Sequence, residues 1–143
     1  MKATNFDLFN QITLYALVKL FDEFPKPIQV NAKSIALEAV PKDEDESYDS
    51  AWDLMDFGVN TLSWLESEGF ISIESKVYGG DFIGVRLTLK GLSLLGYSMP
   101  GLPPSEALIE QAKTALKEAS KDSAKEILTK LFTGALMKAG DFL

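Results

Sequence analysis

The sequence predicts a mainly α protein with one small antiparallel β-hairpin, continued by C-terminal helices. Three observations carry this. Apolar residues recur at helical spacing through most of residues 6–68, the period switches to two between Phe70 and Leu89, and helical spacing returns after a Pro/Gly-rich break. At 143 residues, 46% apolar and 24% charged, the chain has the composition of a folded protein. It is long enough to bury roughly two-thirds of the surface its unfolded form exposes.

From Phe6 to Phe24, the residues Leu8, Phe9, Ile12, Leu14, Tyr15, Leu17, Val18, Leu20 and Phe21 fall at helical spacing, with Thr4 as cap and Asp7 in the first turn. Pro25-Lys26-Pro27 stops this helix, because proline lacks the N–H and its ring clashes with the preceding turn. Ile28-Gln29-Val30 suits a short strand, and Asn31 then caps a second helix through Ser34, Ile35, Leu37 and Val40, closed by Pro41. After the charged loop Lys42–Ser47, Ser47 caps a third helix running from about Tyr48 to Glu68 and ended by Gly69. Phe70–Tyr78 alternates so that Ile71, Ile73 and Val77 share a face. Beyond a turn at Gly79-Gly80-Asp81, Ile83, Val85, Leu87 and Leu89 are expected to do the same.

Ser98–Pro104 contains three prolines and a glycine, so no continuous helix crosses it. The expected division is a domain over residues 1–97, a linker over 98–104 and a helical segment over 105–143. In that segment Leu108, Ile109, Ala112, Ala115, Leu116 and Ala119 line one helix face. Ser123 with Glu126 has the capping-box pattern for a further helix through Ala139, whose stripe comprises Ala124, Ile127, Leu128, Leu131, Phe132, Ala135 and Leu136. The stripe is expected to pack on the first domain or on a second chain. A membrane-surface helix fits less well, since Lys125 and Lys138 only flank the stripe and Lys130 lies on the polar face.

Helix, short strand, two helices and a hairpin is the order of a winged helix-turn-helix domain, in which the hairpin is the wing. Leu87-Thr88-Leu89-Lys90-Gly91-Leu92-Ser93-Leu94-Leu95 resembles the Leu-Thr-x-x-Gly-x-x-Leu-Leu segment that closes the wing and opens the next helix in bacterial MarR-like and PadR-like regulators. The resemblance covers residues 6–96. It implies DNA binding through the third helix and, in PadR-like proteins, dimerisation through C-terminal helices. The motif speaks for the fold rather than the ligand, because winged helices serve both DNA readers and protein-interaction modules.

Charge opposes the DNA implication. The net charge of −7 lies wholly in residues 1–100, where 15 acids meet 8 cations, while residues 101–143 hold 6 of each. From Asp43 to Ser75 there are ten acids and no Lys or Arg. DNA affinity comes largely from cations that neutralise phosphates, so a recognition helix carrying only carboxylates is repelled. The candidate DNA contacts are Lys33 at the start of helix two, Lys76 near the wing tip, and Arg86 and Lys90 on the outward face of the second wing strand.

A helical projection of the third helix from Met55 groups Ala51, Trp52, Val59 and Leu62 within about 60° of one direction, with Leu54 and Leu65 on the flank. Phe57 and Trp64 then project to the opposite side, with Asp53 and Asn60. The expected function is a non-enzymatic protein-interaction or regulatory module. Its helix-three face, centred on Phe57 and Trp64 and ringed by Asp49, Asp53 and Asn60, would dock a basic or apolar protein partner or a second copy as a homodimer. The alternative is a transcriptional regulator holding nucleic acid through Lys33, Lys76, Arg86 and Lys90. A nucleic-acid mimic is a third possibility.

Catalysis finds little material. There is no Cys and no His, which removes disulfides, thiolate nucleophiles, Cys-type zinc sites and imidazole bases. Counted from Asp43, the sixth position of a calcium loop is Tyr48 where Gly is needed, and the twelfth is Leu54 where Glu is needed. Tyr78-Gly79-Gly80-Asp81 joins two strands, so it is a hairpin turn and not a phosphate cradle. No enzyme activity, cofactor or metal is expected. With no apolar run of about 20 residues and no basic-then-apolar start, a cytoplasmic protein without an integral membrane part is expected.

Overall fold

The computed structural model describes residues 5–39, 51–77, 79–95, 108–118 and 122–130. In chain order these form α1 (Asn5–Glu23), β1 (Ile28–Asn31), α2 (Ala32–Ala39), α3 (Ala51–Ser67), β2 (Ile71–Ser72), β3 (Ser75–Val77), β4 (Asp81–Leu87), α4 (Leu89–Leu94) and α5 (Leu108–Glu118), followed by α6 over residues 122–130. The fold is mainly helical with a small antiparallel sheet, as expected. The Thr4 cap, the Lys42–Ser47 loop with its Ser47 cap, residues 98–104 and the apolar stripe beyond Lys130 lie outside the described residues.

α1 is the spine of the core. Ile12, Leu14, Leu17 and Leu20 are buried, and so are Gln11 and Thr13, because neighbours pack on the helix from several sides. α2 begins where expected: the Ser34 N–H donates to Asn31 Oδ1 at 2.9 Å, which satisfies one of the donors a helix start leaves free. Asn31 Nδ2 donates to Asp81 Oδ1 at 2.8 Å and the Ala32 N–H to the Gly80 carbonyl at 2.8 Å, so the hairpin turn is tied to the start of α2.

α3 stops by a Schellman motif. The Phe70 N–H reaches the Leu65 carbonyl (2.9 Å) and the Gly69 N–H the Glu66 carbonyl (3.0 Å), with Gly69 at φ +85°. Gly69 takes this left-handed conformation without the Cβ clash that other residues would meet. Phe70 is thereby turned back into the core, where it is buried.

β4 is the middle strand. β1 lies on one edge, with Ile28 opposite Val85 and Asn31 opposite Asp81. On the other edge β2 and β3 share one register, with Ile71 opposite Leu87 and Val77 opposite Asp81, so the single strand expected over 70–78 is present as two short pieces. The expected alternation of the second strand does not hold. Phe82, Val85 and Leu87 are buried, while Ile83 is 38% exposed. The cause is an irregularity in the β1–β4 register between Ile28 and Val30, opposite Gly84, which has φ +69°. One extra residue in β4 at this point puts Phe82, before it, on the same face as Val85 and Leu87, after it. Val77, also expected inside, is exposed near the hairpin tip, and Ile73 is half-buried.

Leu89 is 73% exposed because it opens α4 instead of continuing the strand. Thr88 makes that switch: its Oγ1 accepts the Gly91 N–H at 3.1 Å as an N-cap and donates to the Gly69 carbonyl at 2.6 Å.

The helices that follow pack in cis. Ile109, Ala112, Ala115, Ala124, Ile127 and Leu128 are buried in the same core as α1. Lys113 Nζ lies 3.0 Å from Asp22 Oδ1, and the Ile109 N–H donates to the Leu95 carbonyl at 3.0 Å. Residue 122 is already helical, so Ser123 sits inside α6 and not ahead of it.

A single phenol links α1 to α2. The Tyr15 hydroxyl donates to the Glu38 carboxylate, and burial, together with that bond and the nearby negative charge, pushes its pKa from the ordinary 10 up to about 12. Ionisation is therefore harder in the folded state than in the unfolded one. The associated stability is fully present below pH 10 and is lost as the pH rises through 12. In an ultraviolet phenolate titration, the Tyr15 step should come late, and Glu38→Gln should move it toward the ordinary value.

Candidate interaction groove

The first turns of α1 and one flank of α3 form the walls of an open groove of about 420 Å³. α1 contributes Asn5, Phe6 and Phe9, and α3 contributes Phe57, Asn60, Thr61 and Trp64. Helical spacing explains both walls: Phe6 and Phe9 are three residues apart, and Phe57, Asn60 and Trp64 follow at steps of three and four. None of the seven side chains is ionisable.

The aromatic rings are mutually arranged. The Phe9 and Trp64 rings meet edge-to-face, with centroids 5.2 Å apart and planes at 84°. On its other side Trp64 neighbours the buried Phe70 ring at 6.2 Å. Phe57 is half-buried and packs against the core, whereas Trp64 is 40% and Phe6 77% exposed. Phe9 thus covers part of Trp64, and Phe6 stands at the rim.

The expected placement of Phe57 and Trp64 opposite the core is corrected. Among the described residues of α3, Leu54, Gly58, Thr61, Leu62 and Leu65 are buried, while the side chains of Ala51 and Trp52, also expected inside, lie outside the described ones. The mean direction of the buried set lies about 75° from Met55, at roughly 100° per residue. Phe57 and Trp64 therefore stand about a quarter turn from the core, facing α1. Met55 and Val59, expected inside, are only half-buried. A projection that counts apolar residues passes over Gly58 and Thr61, yet both are buried, Gly58 because the backbone of α2 runs directly against it.

The other named residues divide. Asn60 is exposed on the groove wall, Asp53 belongs to α3 one turn before Phe57, and Asp49 lies outside the described residues. Phe6 and Phe9 were missed as site residues. Their three-residue spacing at the start of a helix whose core face is set by Leu8 and Ile12 was the available signal.

The four candidate DNA contacts do not act as one patch. Lys76 Nζ is folded onto α3, 3.0 Å from Glu66 Oε1 and 3.4 Å from Ser63 Oγ. Lys90 is not on the wing strand, because β4 ends at Leu87. It sits in α4, where its Nζ donates to the Glu68 carbonyl at 2.7 Å and lies 4.6 Å from the Phe70 ring centroid. There it complements the negative end of α3. Lys33 and Arg86 are exposed on α2 and β4.

A second cleft, of about 440 Å³, separates α5 from α6. Most of its lining residues are polar or charged, and Lys130 spans it, 3.5 Å from Glu126 and 3.4 Å from Gln111. Among the described residues there is no cluster of metal-ligating side chains and no helix long and apolar enough to cross a membrane. Comparisons with protein-family models, curated proteins and solved structures find no match for the chain.

Proposed function

We propose that the chain is a non-enzymatic protein-interaction module of winged-helix type, which docks a protein partner in the groove between α1 and α3. The main support is the groove itself: Phe6 and Trp64, both large and both exposed, line one concave surface that carries no ionisable side chain. Apolar anchors with a polar surround are what protein interfaces use. The winged-helix arrangement is supported by the order of elements, by the pairing of β1 with the second hairpin strand, and by the Thr88 cap where the hairpin meets α4.

Magnitudes favour a partner larger than a single side chain. The water-exposed parts of Phe6 and Trp64 amount to roughly 200 Å², worth on the order of 5 kcal/mol when fully covered. Association itself costs an estimated 4–15 kcal/mol, so contacts around the groove must contribute as well.

Photo-cross-linking tests the proposal. A photoreactive phenylalanine analogue replaces Phe6, whose exposure leaves the core untouched, and a control carries it at Glu118 on α5. In extract of cells that carry the protein, discrete protein adducts are expected from position 6 and not from position 118. Adducts of equal pattern from both positions, or adducts from position 6 only to added duplex DNA, overturn it.

A further inference from the structure

We infer that the occupant of this groove is a cationic amphipathic helix of a partner protein, an inference that rests on the docking reading above. Charge complementarity is the first ground. Asp53 and Asp56 lie within the turn before Phe57, Glu68 lies one turn after Trp64, and no Lys or Arg occurs from Asp43 to Ser75. Asp56 and Glu68 are exposed. Of the described cations that approach α3, Lys76 pairs with Glu66 and Lys90 with the Glu68 main-chain carbonyl, and neither lines the groove. The apolar groove is therefore flanked along α3 by negative charge, which attracts a basic surface and disfavours a second acidic copy.

Geometry is the second ground. Phe57 and Trp64 are seven residues apart, about 10.5 Å along the helix axis. Apolar residues at i, i+3 or i+4, and i+7 of a helix laid along α3 repeat at the same distance. The walls are two helix surfaces, with no free strand edge among the described lining residues, so the occupant finds side chains to pack against and no ladder to extend. A helix satisfies its own backbone, and only its side chains need to meet the groove.

The test titrates the full chain with a short synthetic helix of leucine and lysine, leucines at i, i+3, i+4 and i+7. Calorimetry gives affinity and amide shifts give location. Saturable binding is expected, with shifts centred on Phe6, Phe9, Asn60 and the Trp64 indole N–H, and with affinity falling as salt is added. Phe6→Ser should weaken binding about tenfold, as should Asp56→Asn with Glu68→Gln, and neither changes the fold because all three residues are exposed.

Equal binding of the peptide with glutamate in place of lysine, equal binding of a version broken by a central proline, or unchanged binding by Phe6→Ser overturns the inference. So does a doubled mass of the free chain that Phe6→Ser abolishes, which assigns the groove to a second copy. If cross-links form from position 6 while the cationic peptide fails to bind, the partner chemistry is wrong and the docking groove stands. If both fail, both readings fall.

Discussion

Gly91→Ala is expected to destabilise the protein by roughly 2–3 kcal/mol. A Cβ at this position would stand 2.2 Å from the Phe70 carbonyl oxygen and 3.2 Å from a Leu87 methyl. That oxygen is not free to retreat: it accepts the Thr88 N–H at 3.1 Å, and the Thr88 hydroxyl oxygen lies 3.1 Å from it. Alanine would improve the helix propensity of α4 by about 1 kcal/mol, but overlap with fixed backbone costs more. Moving Phe70 also moves the ring next to Trp64, so the damage reaches the groove. Thermal unfolding should show a melting temperature lower by about 10 °C, since each kcal/mol is worth about 3–4 °C at this size. A neutral or stabilising Gly91→Ala would mean that α4 does not lie this close to Phe70.

Gly58→Ala should cost about 3 kcal/mol, by the same kind of contact in a different place. Its Cβ would fall 2.4 Å from the Ala32 carbonyl oxygen, where α3 crosses the start of α2. Ala32 is fully buried and its N–H is held by the Gly80 carbonyl. Relieving the clash means shifting α2 off the hairpin or rotating α3, and rotation displaces Phe57 from the groove wall. Urea unfolding monitored by circular dichroism measures the loss. Gly79→Ala is the contrast: nothing lies within 4 Å of its Cβ, and only the left-handed φ of +94° opposes it, at about 1–2 kcal/mol. Equal costs at the two positions would show that the α2–α3 approach is looser than described.

Much of the fold was legible because its signals are local. Pro25 and Pro27 end the first helix, Asn31 caps the second and Gly69 ends the third, since each acts through its own backbone conformation or its own hydrogen bond. Face assignments were less legible. The parity of β4 depends on Gly84, where one residue in a left-handed conformation resets the alternation that Ile83 was expected to follow. The core face of α3 depends on Gly58 and Thr61, which no hydropathy count treats as interior. α1 is buried on several sides, so only the offset of Phe6 and Phe9 from Leu8 and Ile12 marked them apart from the core set. The roles of Lys76 and Lys90 were hidden because a long cationic side chain settles on whichever carboxylate or carbonyl the tertiary fold brings near, here Glu66 and the end of α3.

Whether the groove is open in the free chain is answered most directly by acrylamide quenching of Trp64 in a Trp52→Phe variant, measured at high dilution. With Trp64 at 40% exposure, its emission should be readily quenched and should become shielded when the cationic helix is added. A Trp64 already shielded and blue-shifted in the dilute chain would mean that the groove is filled from within the molecule, and would contradict its role as a docking surface.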